Sequence, residues 1–371
     1  METVRLGDVA SIKGGKRLPK GINLITTPNS HPYIRVRDLN DRHTLELTPD
    51  FEYVDDTTQK AIARYIVSSG DIVLSIVGTI GLVSIVGDTL QNANLTENCV
   101  KITDLNGVDR DYLYYYLKSA RGQAEIAKGT VGAVQAKLPI KNIQDILIDL
   151  PDMTVQKKIS NILASIDCKI AVNMEINDNL QQQAQAIFTS MFVSNADPDW
   201  VKGHLSDLIT VKYGKDHKKL ADGAYPVFGS GGIMRYVERP LYTEESVLIP
   251  RKGTLNNVMY VNEPFWSVDT MFFTEMKIPN VAKFVFHFVK AKDLASMNAG
   301  SAVPSMTTDI LNALELDIPS TECLAEFESL VAPMYQAMQA NNRESAKLAE
   351  LRDMLLPNLM SGEINVSSIQ I

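Results

Sequence analysis

The residues best equipped for chemistry in this 371-residue chain are cationic, and they gather in two clusters. Near the N-terminus Lys13, Lys16, Arg17 and Lys20 surround Gly14, Gly15 and Pro19, and Arg35 and Arg37 follow in Tyr33-Ile-Arg-Val-Arg-Asp-Leu39. In the second half Lys212, Lys215, Lys218 and Lys219 crowd one short stretch. Further on, Arg251 and Lys252 precede Gly253 and Thr254, with the paired amides Asn256 and Asn257 just behind. An ammonium holds phosphate as a point charge, whereas a guanidinium or carboxamide can make paired hydrogen bonds to a guanine or adenine edge. The chemistry on offer is recognition of nucleic acid. Taken singly, each lysine reads as solvated surface. Binding is favoured because basic loops recur in both halves of a chain whose net charge is −8 and whose pI is near 5.3.

Catalytic signals are weak. There is no P-loop and no Asn-Pro-Pro-Tyr-type methyltransferase motif, and Gly229-Ser-Gly-Gly232 lacks the spacing of a dinucleotide fingerprint. Acidic-x-Lys triplets at Asp167, Asp216 and Glu275, with Asp269 upstream of the last, leave a nuclease as a minor alternative, since such triplets are common by chance. Cys99, Cys168 and Cys323 form no Cys-x-x-Cys, and His31, His43, His204, His217 and His287 have no metal-ligand spacing, so reduced thiols and no metal are expected. Hydrophobic residues at 45% and charged residues at 22% suit a soluble protein of two or three domains. No basic-then-apolar leader opens the chain, and the apolar run 72–87 is broken by Gly78, Thr79 and Gly81, so the expected location is cytoplasmic, without a membrane partner. That run reads as two buried strands around a Gly-Thr turn.

The reading loops need a frame, and the periodicity supplies one. Steps of four and three from Ile159 reach Leu163, Ile166, Ile170, Asn173, Asn177, Leu180, Ala184, Ile187 and Met191, a heptad seam. A helix over 154–191 would measure roughly 57 Å and needs a partner along its apolar stripe. Moving 168 residues on gives Phe327, Val331, Met334, Met338, Asn341, Ser345, Leu348, Arg352, Leu355 and Leu359. Asn173 and Asn177 fall at the same phase as Asn341 and Ser345, so antiparallel helices would bring their polar layers together midway, fixing register. Two unrelated core helices with chance polar positions are the plainer reading.

Around these helices the chain repeats itself. Leu6-Gly-Asp-Val-Ala-Ser-Ile-Lys-Gly-Gly-Lys16 corresponds to Leu205-Ser-Asp-Leu-Ile-Thr-Val-Lys-Tyr-Gly-Lys215 at an offset of 199. Asp71 to Thr79 corresponds to Ser246 to Thr254 at 175, Ala133-Val-Gln135 to Ala302-Val-Pro304 at 169, and Ile148-Asp-Leu-Pro151 to Leu316-Asp-Ile-Pro319 at 168. Order is kept while the offset shrinks, as in a duplicated unit whose second copy has shorter loops. Tyr33 to Leu39 is expected to form a strand with a cationic face. Tyr112-Leu-Tyr-Tyr-Tyr-Leu-Lys118 is expected to form a short amphipathic helix, its tyrosines being core and rim residues rather than a base-stacking platform.

With its two copies, its paired Leu-x-Asp and Gly-Lys heads, Gly70-Asp-Ile-Val-Leu74, Tyr225-Pro-Val227 and the closing Leu348-Ala-Glu-Leu-Arg-Asp-Met-Leu-Leu-Pro-Asn-Leu-Met-Ser-Gly-Glu-Ile364, the chain resembles the specificity subunits of Type I restriction-modification systems. The resemblance implies an α+β fold with a pseudo-twofold internal repeat: two similar target recognition domains, 1–152 and 203–319, separated by two long antiparallel coiled-coil helices, 153–194 and 320–362. A linker, 195–202, and a tail, 363–371, complete it. It further implies a non-catalytic subunit that binds double-stranded DNA as a split target. Two methyltransferase subunits carrying the methyl donor would dock on it, with room for motor-nuclease subunits, and the chain itself would hold no cofactor. Two departures stand out. Ile76 and Val77 occupy the places of Arg251 and Lys252, and Pro333 and Pro357 imply a second helix that is bent, or that starts after the first proline and ends near the other. The rival class is a coiled-coil scaffold whose two globules bind proteins and read no DNA.

Overall fold

The computed structural model describes residues 2–39, 43–132, 135–297 and 305–366. Its long helices, Met153–Thr189 and Thr321–Ser361, each contribute to two compact units, one of Met1–Glu175 with Asn341–Ile371 and one of Ile176–Ala340. The expected α+β composition is observed, with strands and short helices gathered around the ends of the long ones.

In the first unit a five-stranded sheet runs in the order Ser11–Gly14, Cys99–Thr103, Ile72–Ser75, Val83–Val86, Thr44–Leu45. The two strands from the apolar run, Ile72–Ser75 and Val83–Val86, are wholly buried, as a strand covered on both faces must be. They form an antiparallel hairpin whose turn is tied by Ser75: its hydroxyl donates to the Thr79 carbonyl (2.6 Å) and accepts the Leu82 N–H (2.9 Å), while Gly78 takes a left-handed φ of +80°. A separate antiparallel pair, Glu2–Arg5 with Leu147–Leu150, leads into the first long helix. Asp152 starts that helix by accepting the Val155 N–H at 3.0 Å.

The tyrosine helix, Arg110–Lys118, departs from expectation, because Tyr112 through Leu117 are all buried and no polar face exists. It shares one core with sheet residues such as Ile72 and Leu74 and with Ile159 and Leu163 of the long helix, so it is covered all round. Three of its tyrosine hydroxyls bond within the protein: Tyr112 donates to the Asp149 carbonyl (2.6 Å), Tyr115 to the Asp167 carboxylate (2.7 Å) and Tyr116 to the Leu147 carbonyl (3.0 Å). The strand expected over Tyr33–Leu39 is likewise cut short. Only Tyr33–Ile34 forms a strand, and Val36–Asp38 is a 3-10 turn, because the Asp38 carboxylate captures the Arg35 backbone N–H at 2.7 Å.

The second unit has a four-stranded sheet, Ile209–Tyr213, Met271–Met276, Ser246–Pro250, Met259–Val261, and a three-stranded sheet, Gly232–Val237, Tyr225–Gly229, Trp266–Ser267. Val201–His204 pairs antiparallel with Glu315–Ile318, as Glu2–Arg5 does with Leu147–Leu150. Helix Ala282–Lys290 packs between sheet and long helices, and its fully buried His287 bonds outward in two directions. Nδ1 lies 2.7 Å from Gln185 Oε1 and Nε2 lies 2.9 Å from the Tyr335 hydroxyl. The amide oxygen can only accept, so Nδ1 carries the proton and Nε2 accepts from tyrosine. Lys283 in the same helix is gripped by Glu245 (2.8 Å) and Glu328 (2.7 Å).

Within each unit the long helices run antiparallel. In the first, Ile159 and Leu163 share a core with Leu359 and Leu355; Asp167 meets Arg352 at 2.7 Å, and Asn173 Nδ2 donates to Glu344 (2.8 Å) and Ser345 (3.2 Å). In the second, Ala184, Ile187 and Met191 pack in the cluster of Phe327, Val331 and Met338, and Asn177 Nδ2 donates to the Met338 carbonyl (3.5 Å). The expected meeting of polar layers is seen where Asn173 reaches Ser345, and the Glu344 carboxylate and the Met338 carbonyl take part as well. Ile166 and Asn173 are buried, and Ile170, Leu180, Asn341 and Leu348 are half-buried. Of the two proline expectations, a helix that starts after Pro333 and ends near Pro357 is corrected, since the second helix runs through both prolines from Thr321 to Ser361. Both prolines and the residues four places earlier, Ser329 and Asp353, are exposed, so the carbonyls they free can be hydrated. Gly362 ends the helix with φ +77°, and the chain returns Val366 to the first unit's core.

Two outcomes follow. Burial alone would weaken the charge on Arg352, but the Asp167 and Asp353 carboxylates outweigh it and hold its pKa above the ordinary arginine value. Arg352→Ala strands the Asp167 carboxylate at 9% exposure, and urea unfolding should show a loss of about 3 kcal/mol. For His287, burial, helped by Lys290, lowers the pKa to about 4. Between about pH 6.5 and that value the unfolded chain takes up a proton that the folded unit refuses, so up to about 3 kcal/mol present above this window is lost as pH falls through it. Urea midpoints across the window should decline correspondingly less for His287→Gln.

Candidate nucleic-acid interface

The same backbone frame occurs in both units. Each opens with a strand, a single helical turn on a fully buried leucine, Leu6 or Leu205, and a second strand followed directly by glycine and lysine. The Gly15 N–H donates to the Cys99 carbonyl (3.0 Å) and Lys16 N–H to Leu95 (2.8 Å); Gly214 N–H donates to Met271 (3.0 Å) and Lys215 N–H to Ser267 (2.8 Å). Glycine is required by close approach: a Cβ on Gly15 would lie 2.0 Å from the Thr96 carbonyl oxygen, and one on Gly214 2.0 Å from that of Val268. Facing Cys99 and Met271 are Ser75 and Pro250, the last residues of their strands. Just beyond, the Leu138 N–H donates to Ile76 (3.0 Å) and the Met306 N–H to Arg251 (2.9 Å), so arginine stands in one unit where isoleucine stands in the other. The proposed correspondence of Ala133-Val-Gln135 with Ala302-Val-Pro304 falls largely outside the described residues.

On this common frame the presented side chains differ. In the first unit most cations face acids: Lys13 with Asp104 (2.9 Å), Arg17 with Glu97 (2.6 Å), Arg37 with Glu52 (3.1 Å), and Arg35 with Glu52 and Asp38. Arg35 is only 20% exposed, because the 3-10 turn swings it inward instead of leaving it on a strand face. Arg17, Arg35, Arg37, Tyr33 and Glu97 line a cleft of about 390 Å³. Burial would raise the Glu97 carboxyl, but the Arg17 guanidinium and nearby backbone and Thr96 hydrogen bonds hold it below the usual carboxylate range.

In the second unit Lys212 meets Glu275 at 3.3 Å. Among the described residues no ion pair engages Lys215, Lys218, Lys219 or Lys252, all exposed, nor Lys16 and Lys20 in the first unit. The Arg251 guanidinium lies over the ring of Tyr213 (5.4 Å) and donates to the Asp269 carbonyl (3.2 Å), a brace that leaves the rest of its fork open. Thr254 is exposed beside it. The paired amides are occupied: Asn256 donates to Asp293 (3.0 Å) and accepts from the Ala295 N–H, and Asn257 donates to the Ser230 carbonyl (2.8 Å), so in this structure they tie loops together. Tyr213 and Glu97 were missed by sequence reasoning; the tyrosine beside Gly214, against Gly14 in the first copy, was the available signal.

Asp167 is engaged by Tyr115 and Arg352, Glu275 by Lys212, and among the described residues no three metal-binding side chains converge. Among them, too, no helix is long and apolar enough to cross a membrane.

The family of the Type I restriction modification DNA specificity domain matches residues 1–182 and 198–323. The chain belongs to that family. Its work is DNA sequence recognition. It is 21% identical to the MjaIX Type I restriction enzyme specificity subunit of Methanocaldococcus jannaschii over 91% of this chain and 88% of that one. It is also 21% identical to the HindI specificity subunit of Haemophilus influenzae, over 62% and 71%. The crystal structure of the Type I S subunit from M. genitalium shares the fold, with a TM-score of 0.58 at 18% identity over 96% of this chain and 95% of that one.

If the unpaired ammonium groups hold phosphate, changing Lys215, Lys218 and Lys252 together to alanine should flatten the dependence of log affinity on log salt by about 0.9 for each phosphate no longer neutralised. Titration of duplex DNA at several salt concentrations checks this, and an unaltered slope removes these lysines from the interface.

Proposed function

We propose that this specificity subunit reads a split DNA target. Residues 1–152 and 203–319 each take one half-site, and the helices 153–194 and 320–362, joined by the linker 195–202 and ending in the tail 363–371, serve as spacer and docking platform. Two methyltransferase subunits, carrying the methyl donor, dock on it in the cytoplasm, and motor-nuclease subunits join that complex. The observation that supports this most is one backbone frame used twice with unlike side chains on it: Arg251 braced on Tyr213 in one copy, Arg17 paired with Glu97 in the other. Two readers of common descent and different surface chemistry suit two different half-sites. Docking on the helices is supported by apolar side chains bared to water there, including Met354 at 58% and Val172 at 41% exposure. A scaffold without DNA readout finds no support in the family assignment.

Exchange of the readers is the test. Replacing residues 1–152 by the corresponding part of a relative should change one half of the methylated sequence, and replacing 203–319 the other, as read by sequencing methylated sites in cells that also carry the partner subunits. A graft that altered both halves would defeat independent reading.

A further inference from the structure

The two units diverge most sharply at one place in the frame. After Tyr33–Ile34 the first unit makes its 3-10 turn. The equivalent strand of the second unit, Tyr225–Gly229, is placed by its parallel pairing with Trp266–Ser267, and it turns through Ser230 and Gly231 into Gly232–Val237, a two-stranded ribbon. Toward its base the ribbon is anchored: Val227 and Val237 are buried, and Arg235 donates to the Leu220 carbonyl (2.9 Å) and to Asp222 (2.8 Å). Its tip is bare. Ile233, Met234 and Tyr236 are 51%, 61% and 50% exposed, and a side chain added at Gly231 or Gly232 would touch nothing. The bulge between Val227 and Phe228 breaks the alternation, so that apolar residues stand bare at consecutive positions.

The tip also lies against the basic loop. Asn257 donates to the Ser230 carbonyl (2.8 Å), and the position of a Cβ on Gly253 is 2.6 Å from Ser230 Oγ. Gly253 immediately follows Arg251 and Lys252, and neither 229–237 nor 251–257 contains a carboxylate. An apolar tip beside a loop that carries Arg251 and Lys252 and no acid of its own suits a polyanion with apolar groups recessed between its charges. The major groove of DNA has that make-up: phosphates along its rims, thymine methyl groups on its floor, and a width of roughly 12 Å that admits a two-stranded ribbon.

We propose that the 225–237 ribbon enters the major groove of the second half-site and sets Ile233 and Met234 against thymine methyl groups, while Arg251 and Lys252 hold the adjoining edge and backbone. This rests on the DNA-reading role above and adds to it a class of contact: recognition of A·T pairs by apolar packing. Ile233 and Met234 are specificity-determining residues in this account.

The test uses the full chain with its modification subunits and a duplex bearing the mapped target. Each thymine of the second half-site, on either strand, is replaced singly by uracil, which removes only the methyl group. Binding should weaken about fourfold at one or two thymines, the size expected for one buried methyl. The double variant Ile233→Ser, Met234→Ser, altered only at exposed positions, should bind thymine and uracil duplexes alike. The proposal is overturned by a second half-site without thymine, by no thymine-specific loss in the parent, or by a variant that still distinguishes the two bases. A variant that sheds the modification subunits while keeping that distinction makes the ribbon a protein-docking element and also overturns it. Half-site exchange would succeed in all of these cases, so the two ideas fail separately.

Discussion

Two helices of 37 and 41 residues carry apolar stripes that water cannot cover, and the packing of the rest answers that constraint. Each stripe is sealed by the opposing helix and by the core of the globule beside it. A helix pair sealed only by aliphatic contacts could slide by a turn at small cost, because one leucine replaces another. Polar groups at chosen points remove that freedom: the Asp167–Arg352 pair and the Asn173 contacts in one unit, and the His287 bridge between Gln185 and Tyr335 in the other, are satisfied at one register only. Their desolvation cost is the counterpart of defined geometry.

The frame of the basic loops obeys a second constraint. Gly15 and Gly214 pass so close to a neighbouring carbonyl that no side chain fits, and the next residue in each case is a lysine fixed by its backbone. What the frame holds constant is backbone; what it leaves variable is the side chain that emerges. The exchange of Ile76 for Arg251 at one hydrogen-bonded position changes a reader's chemistry without disturbing the strand that carries it.

Much of this was legible from residues alone. The heptad steps marked both long helices, and the shrinking offset marked the duplication, because each depends on a periodicity that local chemistry does not override. Where the expectations failed, a local side chain, cover by neighbours or access to water had intervened. Asp38 turned a predicted strand into a 3-10 turn, and cover from both sides removed the polar face from the tyrosine helix. Exposure of Pro333 and Pro357 let a helix continue where intrinsic preference would stop it. The side chains that present themselves to a ligand were the least legible: Arg35 and Asn256 have the right chemistry, yet it is spent within the protein. Only the pairing of neighbours, which no linear pattern records, separates a free donor from an occupied one.

The divergence after Tyr33–Ile34 and Tyr225–Gly229 has an evolutionary consequence. A segment that leaves and rejoins the frame at fixed strand ends can be lengthened, shortened or replaced while the buried layer beneath it stays as it is. New preferences can then arise by changing one such segment at a time, provided its buried anchors such as Val227 and Val237 are kept, so the lineage can explore new targets without first rebuilding its scaffold.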